Sequence, residues 1–187
     1  MISYRKLIPC IYIAGGKAIK WFNDREVLAD NVVELAKHYS DRGADELLIF
    51  DLSDSDDDHE ASLNLLRQIH NVISIPMVAG GNIKRMEDVQ RILYSGAKRV
   101  ILNFSKPDSA EMMAKAAERF GKEKVAVSLD DFDGLFKHQH LIEDNCSQLI
   151  FMHRLDLNSI MNVTDVPCVI ITDTEEESEL FKILKCP

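Results

Sequence analysis

Seven short runs of apolar, largely β-branched residues recur along the chain: LIPCIYI, ELLIFDL, IPMVAGG, RVILNF, KVAVSLD, QLIFMH and PCVIITD. Continuous apolar character of this length fits strands buried on both faces, which restricts the chain to folds whose sheet is covered on each side. Segments with helical periodicity lie between or after them, at residues 31–42, 59–72, 84–94, 109–120 and 175–184. In the third segment Met86, Val89, Ile92 and Leu93 share one face, and in the fourth Met112, Met113, Ala116 and Phe120 do. Strand, helix and strand at a spacing of roughly 25 residues is the pattern of a parallel α/β sheet. Gly43 and Gly96 each follow an amphipathic stretch just before a strand, as helix-ending glycines do.

The pattern thins after residue 130. Phe132-Asp133-Gly134-Leu135-Phe136 reads as a turn, residues 141–146 as a short helix at most, and residues 156–163 leave little room between the sixth and seventh runs. An eight-unit (β/α) barrel takes about 250 residues, and this chain has 187. The expectation is therefore one domain over residues 1–187: a shortened TIM-type (β/α) barrel with about seven parallel strands, reduced helices in its second half and no eighth unit. Such a sheet leaves the first and seventh strands with unpaired edges, which invite association. A homo-oligomer is expected, through the first strand's side and the apolar segment Leu180-Phe181-Lys182-Ile183-Leu184.

Composition narrows the partners. A net charge of -9 disfavours nucleic acid and anionic membrane surfaces, which attract clustered Lys and Arg. The N-terminal apolar run is a few residues long and is broken by glycines, so it reads as neither a signal peptide nor a membrane span, and a cytoplasmic location is expected. Cys10, Cys146, Cys168 and Cys186 form no C-x-x-C pair and read as reduced thiols. The run Asp54-Ser55-Asp56-Asp57-Asp58 reads as a solvated loop whose charge favours the following helix N-terminus. His138 and His140, read as alternate residues of a short strand, have no evident third ligand, so no metal is expected. Neither G-x-G-x-x-G nor a P-loop occurs, and no cofactor is expected.

A strand ending in Gly80-Gly81 lets backbone amides approach a phosphate closely, aided by the next helix N-terminus. Asn103, ending the following strand, can add a side-chain donor. The same glycines also fit a tight turn kept for packing alone.

Several motifs follow one another in a specific order: Lys6-Leu7-Ile8-Pro9-Cys10, Lys17-Ala18-Ile19-Lys20, Asp45-Glu46-Leu47 with Asp51, Ile75-Pro76 with Ala79-Gly80-Gly81, and Val100 to Asn103. In this order and spacing the chain resembles the barrel family of histidine biosynthesis, and within it the cyclase subunits of imidazole glycerol phosphate synthase. The agreement is nearly gap-free from residue 5 to about Asp130 and weaker beyond. The resemblance implies a barrel that closes an imidazole ring on a substrate phosphorylated at both ends, with ammonia delivered through the barrel by a glutaminase partner. It assigns Gly80, Gly81, Asn82 and Asn103 to one phosphate site, with Phe104 crowding it, and Lys20 and Asp51 to the substrate pocket.

The family's two catalytic aspartates fall at Asp130 and at Tyr12. A phenol, with a pKa near 10, can donate a proton but is a poor base at neutral pH. The second phosphate grip falls on Thr172-Asp173-Thr174-Glu175-Glu176-Glu177, whose carboxylates repel an anion. Around the ammonia entrance, Lys6, Glu46 and Arg99 match the family's ring of charges, and Gln148 replaces its fourth member. Two functions stay open: lyase or isomerase chemistry on a sugar phosphate or nucleotide-like monophosphate, with Asp130 as base and Tyr12 as acid, or a catalytically silent binding or regulatory subunit.

Overall fold

The computed structural model describes residues 6–106, 108–153 and 164–171. Seven parallel strands form the wall of the fold: β1 (Cys10–Ala14), β4 (Leu47–Asp51), β5 (Met77–Gly80), β6 (Arg99–Asn103), β7 (Val125–Leu129), β8 (Gln148–Phe151) and β9 (Cys168–Ile170). A hairpin of β2 (Lys17–Trp21) and β3 (Asp24–Ala29) extends β1 antiparallel, so the sheet runs β3-β2-β1-β4-β5-β6-β7-β8-β9. Helices α1 (Val32–Asp41), α2 (Asp56–Val72), α3 (Met86–Tyr94), α4 (Ser109–Phe120) and α5 (Phe132–Asn145) connect the parallel strands from β1 to β8. This is the shortened TIM-type barrel that the alternating pattern predicts, among the described residues.

Burial follows the two-residue period of the strands. In β4, Leu47 and Ile49 face the helices and join one large core with Leu63, Leu66, Val89, Ile92, Met113 and Ala116. Leu48 and Phe50 face inward and meet Tyr12, Val78, Ile101, Ala126 and Ile150 from the neighbouring strands. Both faces are sealed, which is why these strands carry unbroken apolar sequence.

Four expectations need correction. The hairpin is absent from the sequence reading, although Gly15-Gly16 is its signal: Ala14 pairs with Lys17, leaving a two-residue loop with φ of 55° and 76°. It occupies the outer edge of β1, with Tyr12 opposite Ile19 and Ile13 opposite Ala18. The first strand therefore has no bare edge along that stretch, and the argument for self-association through it falls.

Residues 132–145 form a helix, not a turn. Asp131 caps it by accepting a hydrogen bond from the Gly134 amide at 3.2 Å. A break at His138, with φ -130° and ψ 22°, shifts the helical phase and blurs the periodicity. His138 and His140 accordingly sit around a helix kink and not on one side of a strand. Helix α2 begins at Asp56, three residues before the predicted start, because Ser55 caps it and Asp56, Asp57 and Asp58 fill its first turn. The expected helix at 175–184, the acidic run from Thr172 and the segment between the sixth and seventh strands lie outside the described residues.

Candidate functional site

The C-terminal ends of the strands open into a cleft of about 560 Å³. Gly81, Asn82 and Ile83, following β5, form part of its wall. Gly81 has φ 102°, and a Cβ there would collide with the backbone of Asp51, so no other residue fits without displacing β4. Asn82 has φ 51°, the left-handed conformation that a third glycine would adopt and that asparagine tolerates. The backbone amides of Asn82 and Ile83 donate to no acceptor among the described residues, whereas those of Lys84 and Arg85 donate to Asp88 at 2.9 and 3.1 Å. Two successive unengaged N–H groups beside a left-handed residue make a concavity suited to an anion.

Asn103 faces the same cleft from β6. Its Oδ1 accepts from the Ser105 amide at 2.8 Å, while its Nδ2 has no partner among the described residues. Lys106 also lines the cleft and is exposed. Lys84 lies on the rim, paired with Asp56 at 2.9 Å. Phe104 does not crowd this corner: it packs into the core beneath the helices, with its ring edge-on to His138 at 5.3 Å.

Asp130 directly follows β7, is exposed to the cleft, and accepts a hydrogen bond from Ser105 Oγ at 2.6 Å. Tyr12 behaves differently. It is 2% exposed, stacks on Phe50 at 5.5 Å and meets Trp21 edge-on at 5.1 Å. Its hydroxyl is buried and meets no well-formed hydrogen-bond partner among the described residues. Burial, reinforced by the nearby Cys10 thiol, pushes the phenol far above the usual tyrosine range. The same burial raises the Cys10 thiol to about 12.

The remaining assigned residues spread out. Gly80 is buried in β5, where a Cβ would strike Ile101, and serves strand packing instead of facing the cleft. Asp51 lies in the cleft wall but is 6% exposed and fully engaged by Ser53 and His59. Lys20 stands on the hairpin, 3.7 Å from Glu26. The sequence reading missed Arg25, which the hairpin brings to the cleft, where it bonds the Leu52 carbonyl and Asp54, each at 3.3 Å. It also missed Lys106, whose only signal is its place three residues after Asn103.

At the other end of the strands, Glu46 is 2% exposed. It bonds Arg99 at 2.9 Å and accepts from Gln148 Nε2 at 2.9 Å, and Arg99 Nε donates to Ser147 Oγ at 3.0 Å. The strand starts thus bring together three of the four residues read as a charge ring, while Lys6 is exposed and takes no part in that cluster. Among the described residues, no group of three His, Cys, Asp or Glu side chains could hold a metal ion. No helix there is long and apolar enough to cross a membrane.

The profile of the histidine biosynthesis protein family matches residues 6–177. The chain belongs to that family. Among curated proteins it is similar to imidazole glycerol phosphate synthase subunit HisF of Tolumonas auensis, with 35% identity over 130 residues. That alignment takes in 68% of this chain and 50% of the relative, so the chain spans about half the length of the HisF protein it matches. The family resemblance read from the glycine, lysine and aspartate motifs is thereby established.

Proposed function

We propose that this HisF-like barrel binds a sugar phosphate or nucleotide-like monophosphate in the cleft and lacks the complete ring-closing activity of a cyclase subunit. One observation carries the reading: Asn82 and Ile83, whose amides meet no acceptor among the described residues, line the same cleft as Asn103, Lys106 and Asp130. The amides, the Asn103 Nδ2 and the Lys106 ammonium supply donors for a phosphate, and Asp130 supplies a base within that cleft. The second acid–base group of a cyclase is the weak point. At Tyr12, which lines the same cleft but is 2% exposed, burial keeps the phenol protonated, so it does not act as a base near neutral pH.

A catalytically silent binding subunit is a second reading, favoured by the same buried Tyr12. Delivery of ammonia by a glutaminase through the base is not part of the proposal, because Glu46 is already spent on Arg99 and Gln148.

The test is a thermal-shift series with inorganic phosphate and ribose 5-phosphate, followed by an ammonia-dependent cyclase assay. A ligand at 100 times its dissociation constant stabilises the fold by about 2.7 kcal/mol. Binding without cyclase turnover is the expected result. Cyclase turnover within about a hundredfold of an ordinary HisF, some 2.7 kcal/mol in barrier, overturns the second half of the proposal. Any turnover of a simpler analogue that disappears in Asp130→Asn separates the enzyme from the silent binder.

A further inference from the structure

His59 lies in the second turn of α2, 8% exposed, and no part of the cleft reading uses it. Its Nδ1 is 2.5 Å from Asp51 Oδ2. A carboxylate only accepts hydrogen bonds, so Nδ1 carries the proton. Nε2 is buried and meets no partner, which leaves the bond to Asp51 as the ring's one polar attachment among the described residues.

Asp51 passes this constraint onward by two routes. Its Oδ1 accepts from the Ser53 amide at 3.0 Å and from the Ser53 hydroxyl, and the Ser53 carbonyl in turn accepts from Asn82 Nδ2 at 2.7 Å. The backbone of Asp51 also lies so close to Gly81 that a Cβ there would collide with it. Both routes end at the residues whose left-handed conformations aim the unengaged amides.

We infer that His59 is the positioning residue of the anion site: by holding Asp51 it fixes the β4–α2 loop, and through Ser53 that loop holds Asn82 in its left-handed conformation. This rests on reading the Gly81–Ile83 turn as an anion site, but the coupling from His59 to Asn82 exists whether or not an anion binds. A ring that merely fills space would need no donor facing Asp51.

Two variants of the full chain separate positioning from packing. His59→Gln keeps an N–H donor for Asp51, and His59→Leu keeps apolar bulk and removes the donor. In the anion-free protein, His59→Leu should move the NMR signals of the Asn82 side-chain amide and the Ile83 backbone amide and speed hydrogen exchange of the Asn82 side-chain amide, and His59→Gln should leave all of these near wild type. In calorimetric titration with inorganic phosphate, His59→Leu should weaken binding roughly tenfold, the lower end for loss of an orienting partner, and His59→Gln should restore most of it. Unchanged Asn82 signals in His59→Leu, or equal losses in the two variants, overturn the inference. A wild-type chain that binds no phosphate sinks the anion reading alone, because the NMR comparison still decides the coupling. Should His59→Leu not fold, Asn82→Gly tests the line from its far end, since glycine can adopt the left-handed conformation but lacks the side-chain amide by which Ser53 holds it there. An unchanged phosphate affinity there overturns the inference as well.

Discussion

The two ends of the barrel spend their polar groups in opposite ways. At the strand starts Glu46, Arg99, Gln148 and Ser147 satisfy one another in a largely buried cluster. At the strand ends Asn82, Ile83, Asn103 and Lys106 line a cleft, and the two backbone amides, the Asn103 Nδ2 and the Lys106 ammonium meet no partner among the described residues. Polar groups closed upon themselves serve the fold, and polar groups left open are available to a ligand. In barrels of this type that division falls between the N-terminal and C-terminal faces of the sheet.

The contrast breaks if stability does not concentrate at the base. Glu46→Leu strands the guanidinium of Arg99 and the amide of Gln148 in a buried site, and it should cost about 3–5 kcal/mol in urea unfolding. Phosphate affinity of the surviving folded protein should be unchanged. A loss below about 1 kcal/mol would place that cluster with ordinary surface pairs.

At the cleft the largest effect should come from Gly81→Ala. A positive φ and a collision with the Asp51 backbone predict a loss of more than about 1 kcal/mol, together with loss of phosphate binding in calorimetry. Full retention of phosphate binding would show that the turn serves packing alone.

A pH series sharpens the picture of the base. Burial pushes the Cys146 thiol, just before β8, up to about 12. An unfolded thiol ionises near 8.5. Stability is therefore fully present below that value and falls as pH rises toward 12, because the unfolded state releases a proton that the folded state keeps. The slope from one such thiol is at most about 1.4 kcal/mol per pH unit. Unfolding measured between pH 9 and 11 should fall less steeply in Cys146→Ala than in wild type, and equal slopes would contradict the burial. The smallest effect belongs to Asp130→Asn: exposed at the rim, it should change stability by no more than about 0.5 kcal/mol. A larger loss would give Asp130 a structural role and blur the contrast.

The parallel strands were legible because burial on both faces removes the polar positions that otherwise interrupt a strand. Helices α1, α3 and α4 were legible from one continuous apolar face each, and α5 was not, because its kink at His138 breaks that face in two. The hairpin escaped because its β3 is largely exposed and so lacks the continuous apolar run of the buried strands, with Val27 and Leu28 open to solvent. At the site, Gly81 and Asn103 announced themselves by residue type and position. Tyr12 could be aligned with a catalytic position, but its burial beneath Trp21 and Phe50 depends on the hairpin and on a strand more than thirty residues away. His59 gave no signal at all, since a histidine on a helix acquires its meaning only from the carboxylate it meets.

The hairpin also sets a clock. β1 has one neighbour two residues along the chain, across Gly15-Gly16, and another beyond α1, with Cys10 opposite Leu48. Hairpins form in about 1–10 μs, while the second pairing must first close a far longer loop, at an entropic cost that grows with loop length. During refolding β1 is therefore expected to meet its local partner before β4 docks onto its other edge. The same order is expected at Tyr12, whose ring would lie beside Trp21 of β2 before Phe50 of β4 stacks against it.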